Sequence, residues 1–439
     1  MRVVIAPVQN APVNDADVIV IGAGAAGLAA TRSLLAAGCR VALLEARDRI
    51  GGRAWTETCH GLAFDHGASF IHAEQTNPWT TIAQHLGVAT AIDPRRRLLF
   101  IGARQASERE LAAFTAARAQ AQSQVVEAAK AGRAVSIAQA VRGSGPWSAQ
   151  AQVALGPWLL GAENEVADAA DFAAGVSGRD RLVDTGYGRL VAAYGRGLPV
   201  TLNAAVRRID YRGRGVVVET AAGQLRGRLA IVTLPAGVLA GGQVRFEPAL
   251  PLEKQGAIEA LPMGLLTKIA LCFEGDPFGQ GDTFYLHRQT VDQRAALYMM
   301  RPCGQDLALA FVGGDLAREL ERAGEAVAAE FALAPLLEIF GSGPRSRLRG
   351  VRQTRWGIDP FAMGSYAVAR PGAAAMRAVL ARPVADRLLF AGEACAADGW
   401  AATVAGAHRS GRRAAHEALG LLGRRPRHES DCNPPQNNP

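Results

Sequence analysis

The chain has 439 residues, 49% of them hydrophobic and 20% charged, and a formal net charge of +8 at pH 7. This length and composition indicate a globular protein of two or three domains. They exclude a membrane protein, because no apolar run approaches the roughly 20 residues that a span needs. The N-terminal segment is too short and polar for a secretory signal, and the basic residues are scattered. We therefore expect a cytoplasmic protein with no membrane or nucleic-acid partner.

The six cysteines show no C-x-x-C spacing, and the chain contains no H-E-x-x-H motif. This pattern predicts free thiols in a reducing compartment and no metal site.

The first predicted element is a buried strand that leads into a glycine-rich turn. The apolar, mostly β-branched run Val18–Ile21 is followed at once by Gly22, Gly24 and Gly27, and then by the helix-forming run Ala25–Ala37. In this G-x-G-x-x-G pattern the first glycine allows a tight turn. The second lets the backbone approach a pyrophosphate, and the third lets the helix pack closely on the strand. The segment predicts a dinucleotide site.

A second strand and a second glycine turn follow. Arg40–Leu44 reads as the strand, and Glu45 at its end lies at the spacing expected for a carboxylate that binds a ribose. The run EARDRIGGR, residues 45–53, continues from it. Its Gly-Gly turn lets backbone lie against a ligand, and its arginines suit pyrophosphate oxygens. The run also resembles the second FAD motif of the flavin amine oxidases, which simple NAD dehydrogenases do not carry, and this resemblance implies FAD and not NAD.

After the second glycine turn, the sequence shows first a long helical pattern and then a mixed pattern of strands and short helices. Residues 78–174 read as helical and predict an inserted lobe, whereas later stretches return to strands and short helices. Early, middle and late pieces are expected to share one sheet. The expected division is FAD-binding 15–76, substrate-side helical lobe 77–181, FAD-binding 182–245, substrate-binding 246–384, FAD-binding 385–423 and disordered tail 424–439.

With these segments in order, the chain resembles the flavin-dependent (FAD) amine oxidases of the monoamine/polyamine oxidase group. The resemblance covers about residues 17–423. It rests on the glycine fingerprint with EARDRIGGR, DHGASFIH, VRRID with VTLPAGVL, LPMGLLTKIALCF, WGIDPFAMGSY and LLFAGEACAADGWAATVAGAHRSGRRAA. It implies an α/β fold: a Rossmann-like FAD-binding domain of discontinuous segments and a second, mixed α+β substrate domain, a two-domain architecture like that of glutathione reductase.

The resemblance also implies which residues bind the cofactor. Glu45 and Arg47 would hold the adenosine ribose, Arg53 would contact the flavin side, and Glu393 would bind near the ribitol or pyrophosphate. Val206 would offer backbone to the adenine. The full expected set is Gly22, Gly24, Ala25, Ala26, Gly27, Glu45, Ala46, Arg47, Gly52, Arg53, Gly67, Ala68, Ser69, Phe70, Val206, Gly392, Glu393 and, at the flavin ring, Thr403 and Val404.

Lys268 is the candidate catalytic residue. It interrupts the apolar strand pattern LLTKIALCF. Burying a charge there is energetically unfavourable unless the charge is paired or has a functional role. By sequence alone it could equally lie on the solvent face of an edge strand. The resemblance implies that it holds a water against the reactive ring nitrogen of the flavin and assists oxidation by oxygen.

Aromatic residues are expected to form the substrate pocket. The resemblance places Trp356 and Tyr366 at the amine. Ser365 stands where enzymes with covalent flavin carry a cysteine, so we expect non-covalent FAD. Thr403 replaces a second tyrosine, so one wall of the aromatic cage is expected to be missing.

Two further features bear on the substrate. His72, followed by Asn77-Pro78, resembles the substrate entrance of polyamine oxidases, although a structural histidine fits equally well. The carboxylates between Glu163 and Asp171 are either an acidic rim for a polycation or a solvated helix face.

The resemblance therefore implies oxidation of a small-molecule amine, with a polyamine favoured. A hydride passes to the flavin, the imine hydrolyses, and molecular oxygen is reduced to hydrogen peroxide. An L-amino-acid oxidase and a desaturase or porphyrinogen oxidase on the same FAD frame are the enzymatic alternatives. A non-catalytic flavoprotein that works through a partner is the alternative of another class. The oligomeric state is left open.

Overall fold

The computed structural model describes residues 16–425, so the predicted tail lies almost wholly outside the described residues. In chain order the strands are β1 (Ala16–Ile21), β2 (Val41–Leu44), β3 (Thr56–Cys59), β4 (Leu62–Asp65), β5 (Phe70–Ile71), β6 (Thr90–Ile92), β7 (Arg97–Ile101), β8 (Arg104–Gln105), β9 (Arg181–Val183), β10 (Val200–Thr201), β11 (Val206–Asp210), β12 (Val216–Thr220), β13 (Gly223–Val232), β14 (Arg245–Glu247), β15 (Met263–Gly264), β16 (Leu266–Phe273), β17 (Phe284–Arg288), β18 (Leu297–Met300), β19 (Leu307–Gly313), β20 (Leu348–Gln353), β21 (Tyr366–Ala367) and β22 (Leu388–Phe390).

The helices are mostly short. They are α1 (Ala25–Ala36), α2 (Pro78–His85), α3 (Glu108–Lys130), α4 (Ile137–Ala140), α5 (Ser148–Leu155), α6 (Pro157–Leu160), α7 (Ala169–Ala174), α8 (Tyr187–Tyr194), α9 (Ala236–Ala240), α10 (Leu252–Ala260), α11 (Gly314–Ala323), α12 (Glu325–Phe340), α13 (Gly343–Arg347), α14 (Met376–Ala381) and α15 (Val404–Leu421). Within residues 16–425, no helix combines the length and apolar character that crossing a bilayer requires.

The first sheet is built from three separated parts of the chain. Its eight strands run in the order β10-β2-β1-β13-β12-β11-β14, and β22 also pairs with β13. β1 lies in parallel register between β2 and β13, and all six of its residues are buried. A parallel strand covered on both faces is expected to be continuously apolar, as this one is. The strands come from the first, middle and last segments that the sequence assigns to FAD binding.

Helices α1 and α15 pack closely on one another beside this sheet. A Cβ added to Gly411 of α15 would lie 2.1 Å from the carbonyl oxygen of Ala26 in α1. The small residues of α15 therefore permit backbone contact between the two helices. This contact brings the last segment of the chain against the glycine turn of the first.

The second sheet carries Lys268 in its interior. Its order is β20-β16-β19-β18-β17-β7-β8, and Lys268 lies in β16 between two neighbours. The lysine is 4% exposed. The alternative of a solvent-facing lysine on an edge strand is therefore excluded.

Two parts of the predicted domain division differ from the structure. Residues 90–105, expected to be helical, form β6, β7 and β8. The run Arg97–Ile101 pairs in parallel with β17, a tertiary contact that the surrounding helical composition conceals. In the predicted substrate segment, α10 and α14 instead pack on the core of the first sheet, for example through Ala257, Ile258 and Leu380.

Candidate active site

One cavity collects the predicted site residues. It has a volume of about 590 Å³, and its lining comes from the first sheet, the second sheet and the helices between them. Every residue predicted to bind the cofactor or the substrate lines it, except Gly27. Residues from the early, middle and late parts of the described chain therefore lie at a single site.

The glycine turn explains that exception. A Cβ on Gly27 would lie 1.8 Å from the carbonyl oxygen of Gly22, so this glycine serves the packing of α1 on β1. Gly22 itself has a φ of +102°, which favours glycine. Gly24 lines the cavity, and the nearest atom to an added Cβ would be the Cα of Gly52 at 3.9 Å. The two turns thus leave an open cradle that fits a pyrophosphate.

Glu45 is held rigidly at the end of β2. Its Oε2 accepts a hydrogen bond from the Ala23 N–H at 2.8 Å, and its Oε1 accepts one from the Arg47 N–H at 3.0 Å. Each carboxylate oxygen can accept a second bond. The Arg47 guanidinium forms a two-pronged ion pair with Asp359, with distances of 2.9 and 2.6 Å. Asp359 lies in the WGID motif, but sequence reasoning did not identify it as this partner.

A second ion pair joins distant parts of the chain at the cavity. Arg53 Nη1 donates to Glu393 Oε1 and to the Ser365 carbonyl oxygen, both at 2.9 Å. Glu393 also accepts from the Ala367 N–H at 3.1 Å and is 6% exposed. The resemblance assigns Arg53 to the flavin side of FAD and Glu393 to the ribitol or pyrophosphate, and the two residues are in direct contact.

The Lys268 ammonium lies against the turn that follows β4. Nζ donates to the Asp65 carbonyl oxygen at 2.9 Å, to Ser69 Oγ at 2.6 Å and to the Gly67 carbonyl oxygen. Desolvation by burial lowers the pKa of Lys268 to about 8. An ammonium has three donors, so a water bound by Lys268 would share or replace one of these contacts.

A buried carboxylate supports both Lys268 and Trp356, and sequence reasoning missed it. Glu321 is 1% exposed. Its Oε1 accepts from Thr267 Oγ1 at 2.8 Å, and its Oε2 accepts from the Gly357 N–H at 3.0 Å. Burial raises the pKa of Glu321. The side chain ties the strand that carries Lys268 to the loop that carries Trp356.

We expect Glu321→Ala to lower the free energy of unfolding by about 2–3 kcal/mol, because it leaves the buried Thr267 hydroxyl and the partly buried Gly357 N–H without their acceptor. Glu321→Gln keeps one acceptor oxygen and should lose less. Denaturant titration of the two variants and the parent protein checks this order. A Glu321→Ala protein as stable as the parent would contradict the supporting role.

The two predicted pocket aromatics are fixed by hydrogen bonds to backbone. Trp356 Nε1 donates to the His66 carbonyl oxygen at 2.8 Å, and Trp356 is 5% exposed. The Tyr366 hydroxyl donates to the Leu159 carbonyl oxygen at 2.8 Å. Both residues line the cavity. Their rings are therefore held in place before any ligand binds.

Thr403 serves as the N-cap of α15. Its Oγ1 accepts from the Gly406 N–H at 2.9 Å and donates to the Trp400 carbonyl oxygen at 2.8 Å. Thr403 and the first helical residue, Val404, line the cavity. The N-terminus of an 18-residue helix therefore lies at the cavity, where its dipole favours negative charge.

His72 lines the cavity with a half-exposed side chain. Its Nδ1 lies 3.3 Å from Asp180 Oδ1, and its carbonyl oxygen accepts from Asn77 Nδ2 at 2.7 Å. Asn77 Oδ1 also caps α2 through the Trp79 N–H at 3.0 Å. The Asn-Pro pair thus begins a helix, and a role of His72 at the substrate entrance stays a prediction.

The acidic run is not an exposed acidic rim. Asp171 forms an ion pair with Arg377 at 2.6 and 2.7 Å, and Asp168 is buried and caps α7. Glu163 Oε1 accepts from a backbone N–H at the start of α11. Of the four carboxylates, only Glu165 is exposed. Neither interpretation offered by the sequence describes the whole run.

A family model described as "flavin containing amine oxidoreductase" matches residues 25–144 and 151–419. The chain belongs to this family. FAD is therefore the cofactor of this member of the family, as predicted, and the open glycine cradle together with the held Glu45 fits it.

The curated relatives of this chain include histone demethylase homologs and a polyamine oxidase. Lysine-specific histone demethylase 1 homolog 1 of Oryza sativa subsp. japonica is 31% identical over 93% of this chain and 53% of the relative. Polyamine oxidase 2 of Arabidopsis thaliana is 30% identical over 91% of this chain and 87% of the relative. The chain spans about half the length of the histone demethylases that it matches.

Solved structures confirm the predicted two-domain fold. Putrescine oxidase bound to putrescine superposes with a TM-score of 0.78 at 21% identity, covering 93% of this chain and 100% of the other. Cyclohexylamine oxidase from Brevibacterium oxydans IH-35A gives a TM-score of 0.78 at 23% identity, with 94% and 100% covered.

Proposed function

We propose that this protein oxidises an amine at the carbon next to the nitrogen, with oxygen as electron acceptor. When bound, FAD would supply the redox chemistry, namely acceptance of a hydride from the amine and transfer of the two electrons to oxygen. The amine would become an imine that water hydrolyses, and oxygen would become hydrogen peroxide. The observation that carries the proposal is one cavity that joins the glycine cradle to a buried lysine, Lys268, and two fixed aromatics, Trp356 and Tyr366.

The side chains of this cavity orient the amine and keep water away from it. Trp356 and Tyr366 line the cavity, and aromatic rings attract an amine by its charge or lone pair. Apolar surroundings favour the neutral amine, whose lone pair must be free for oxidation. Lys268 holds a positive charge where electrons pass to oxygen. We assign no side chain the role of base.

The arginines of the cavity argue against an L-amino-acid oxidase. Such an enzyme needs an arginine for the substrate carboxylate. Among residues 16–425, the arginines that line the cavity are Arg47, Arg53 and Arg377, and all three pair with carboxylates. Arg49, which precedes the Gly-Gly turn, does not line the cavity; it donates to backbone carbonyl oxygens at 3.0 and 3.3 Å and lies over the Trp55 ring.

A polyamine is one candidate class of substrate for this amine oxidation. The similarity to a polyamine oxidase and the His72 region favour it. A histone lysine is a related possibility raised by the demethylase relatives. Both substrates carry several positive charges, so the charges of the cavity bear on both.

A peroxide assay tests the proposed function. The purified holoprotein is incubated with monoamines, polyamines and L-amino acids, and peroxide and aldehyde are measured. We expect equal amounts of both products with at least one amine. Peroxide from amino acids alone would favour the amino-acid oxidase. No peroxide with any amine would favour a desaturase, a porphyrinogen oxidase or a non-catalytic flavoprotein.

We also propose that FAD is bound without a covalent link. Ser365 occupies the cysteine position, and its Oγ accepts from the Leu266 N–H at 2.9 Å and donates to the Leu266 carbonyl oxygen at 3.1 Å. Denaturing the holoprotein and filtering it should leave all flavin in the filtrate. Flavin retained with the polypeptide would contradict this prediction.

A further inference from the structure

We propose that the substrate is an apolar monoamine, a single amino group on a hydrocarbon or aromatic body, and not a diamine or polyamine. The inference rests on the proposed amine oxidation and specifies its substrate class. It comes from the walls of the cavity around Lys268 and from the charges available there.

Large apolar and aromatic side chains line the cavity that contains Lys268. Phe311 pairs in register with Lys268 across β16 and β19, and the Lys268 Nζ lies 5.4 Å from the Phe311 ring centroid. Leu297 is the register partner of Phe311 on β18. We define the apolar wall as Trp158, Leu159, Phe172, Tyr285, Leu297 and Phe311, all of which line the cavity.

The polar atoms of this wall already have partners inside the protein. The Tyr285 hydroxyl donates to Asp93 Oδ2 at 2.9 Å, and Trp158 Nε1 donates to a backbone carbonyl oxygen at 2.8 Å. The Tyr366 hydroxyl next to the wall donates to the Leu159 carbonyl oxygen. Asp93 is buried and does not itself line the cavity. The wall therefore offers a ligand hydrocarbon and ring surface.

The cavity also lacks a spare negative charge within the described part of the chain. The carboxylates that line it are Glu45, Asp171 and Glu393. Glu45 accepts backbone N–H groups, and the other two form ion pairs with arginines. Glu45 and Glu393 belong to the predicted cofactor-binding set, and both oxygens of Asp171 are engaged by Arg377. A second ammonium on the substrate would therefore find no counter-charge here.

The number of charges on the substrate then decides how well it fits. The amino group that reacts becomes neutral before oxidation, so a monoamine occupies the apolar wall uncharged. A diamine keeps a second ammonium near neutral pH, because alkylamines have pKa values near that of lysine, about 10.4. Burying that charge without a partner is strongly unfavourable. The net charge of +8 adds long-range repulsion of polycations.

Two amines of equal length test this inference. The purified holoprotein is given n-hexylamine or 1,6-diaminohexane. kcat/KM is measured from peroxide, and Kd is measured anaerobically from the change in flavin absorbance before reduction. We expect hexylamine to be favoured by about 100-fold in kcat/KM and to bind more tightly, as expected for an uncompensated buried charge.

Equal or better use of the diamine, in either readout, would overturn the inference while leaving amine oxidation intact. If the flavin stays oxidised with both amines, the order of the two Kd values still decides the substrate class, and the wider panel of amines decides the proposed function. Failure of hexylamine to bind would overturn the inference and leave the proposed function to that panel.

A pair of variants at the wall sharpens the test. Leu297 is half-buried and lines the cavity, so Leu297→Glu adds a carboxylate and Leu297→Gln adds a side chain of the same shape without charge. We expect the diamine-to-hexylamine ratio of kcat/KM to rise about tenfold in the first and to stay near the parent value in the second. The same ratio in both FAD-loaded variants would contradict the assigned wall.

Discussion

Gly24→Val is expected to abolish FAD binding and to leave the fold intact. Gly24 has φ −77° and ψ −177°, a conformation open to any residue, and an added Cβ would have no atom closer than 3.9 Å. The protein without cofactor therefore has room for the Cβ, and we expect the two γ-methyl groups to extend into the cradle. The valine would occupy the cradle between the turns of Gly24 and Gly52. We expect FAD affinity to fall by at least about 100-fold, since the backbone contacts to the pyrophosphate are lost.

Flavin absorbance per mole of purified protein measures this effect, and circular dichroism checks the fold. Gly256→Ala is the matched control, because Gly256 lies exposed on α10 with open space around it, so its FAD content should not change. Gly27→Ala should instead impair folding, since its Cβ would meet the Gly22 carbonyl oxygen. A Gly24→Val protein with full FAD content would show that the cradle is not the pyrophosphate site.

Lys268→Met is expected to slow the oxidation of reduced enzyme by oxygen by about 100-fold, while FAD stays bound. In the proposed role the buried ammonium would stabilise the negative charge that forms as oxygen is reduced, and one preorganised charge contributes on this scale. The pKa of Lys268 is about 8, so the ammonium is charged below that pH. The rate in the parent enzyme should therefore fall as the pH rises through about 8, and the rate in Lys268→Met should not.

Stopped-flow mixing of anaerobically reduced enzyme with oxygen measures this rate. Lys254→Met is the matched control. Lys254 is also buried, its pKa is also lowered to about 8, and its Nζ donates to three backbone carbonyl oxygens, but it does not line the cavity. Its loss should affect stability and leave reoxidation unchanged. An unchanged rate in Lys268→Met would remove the assigned role.

The sequence predicts the start of the fold well because that part is local. The buried strand, the glycine turn, α1, β2 and the position of Glu45 follow from residues close together in the chain. Periodicity and turn chemistry act over such distances. The positions of Lys268, Trp356 and Tyr366 at the same cavity came from the resemblance, and no local pattern could have placed them together.

Long-range partners are what the sequence could not predict. The partner of Arg47 is Asp359, and the partner of Asp171 is Arg377. In each case the sequence shows a charge but does not show which opposite charge the fold brings to it. Strand β7 is similar, because its pairing with β17 is a tertiary contact. The polyamine preference relied partly on the acidic run, most of which proves to be engaged inside the protein.

Anaerobic titration with an amine tests the central claim most directly. The holoprotein is mixed with n-hexylamine without oxygen, and the absorbance of oxidised flavin is followed; oxygen is then admitted. The account predicts that one equivalent of amine bleaches the flavin, and that oxygen restores the absorbance with one equivalent of hydrogen peroxide. A flavin that stays oxidised with hexylamine and with every other amine tested would contradict it.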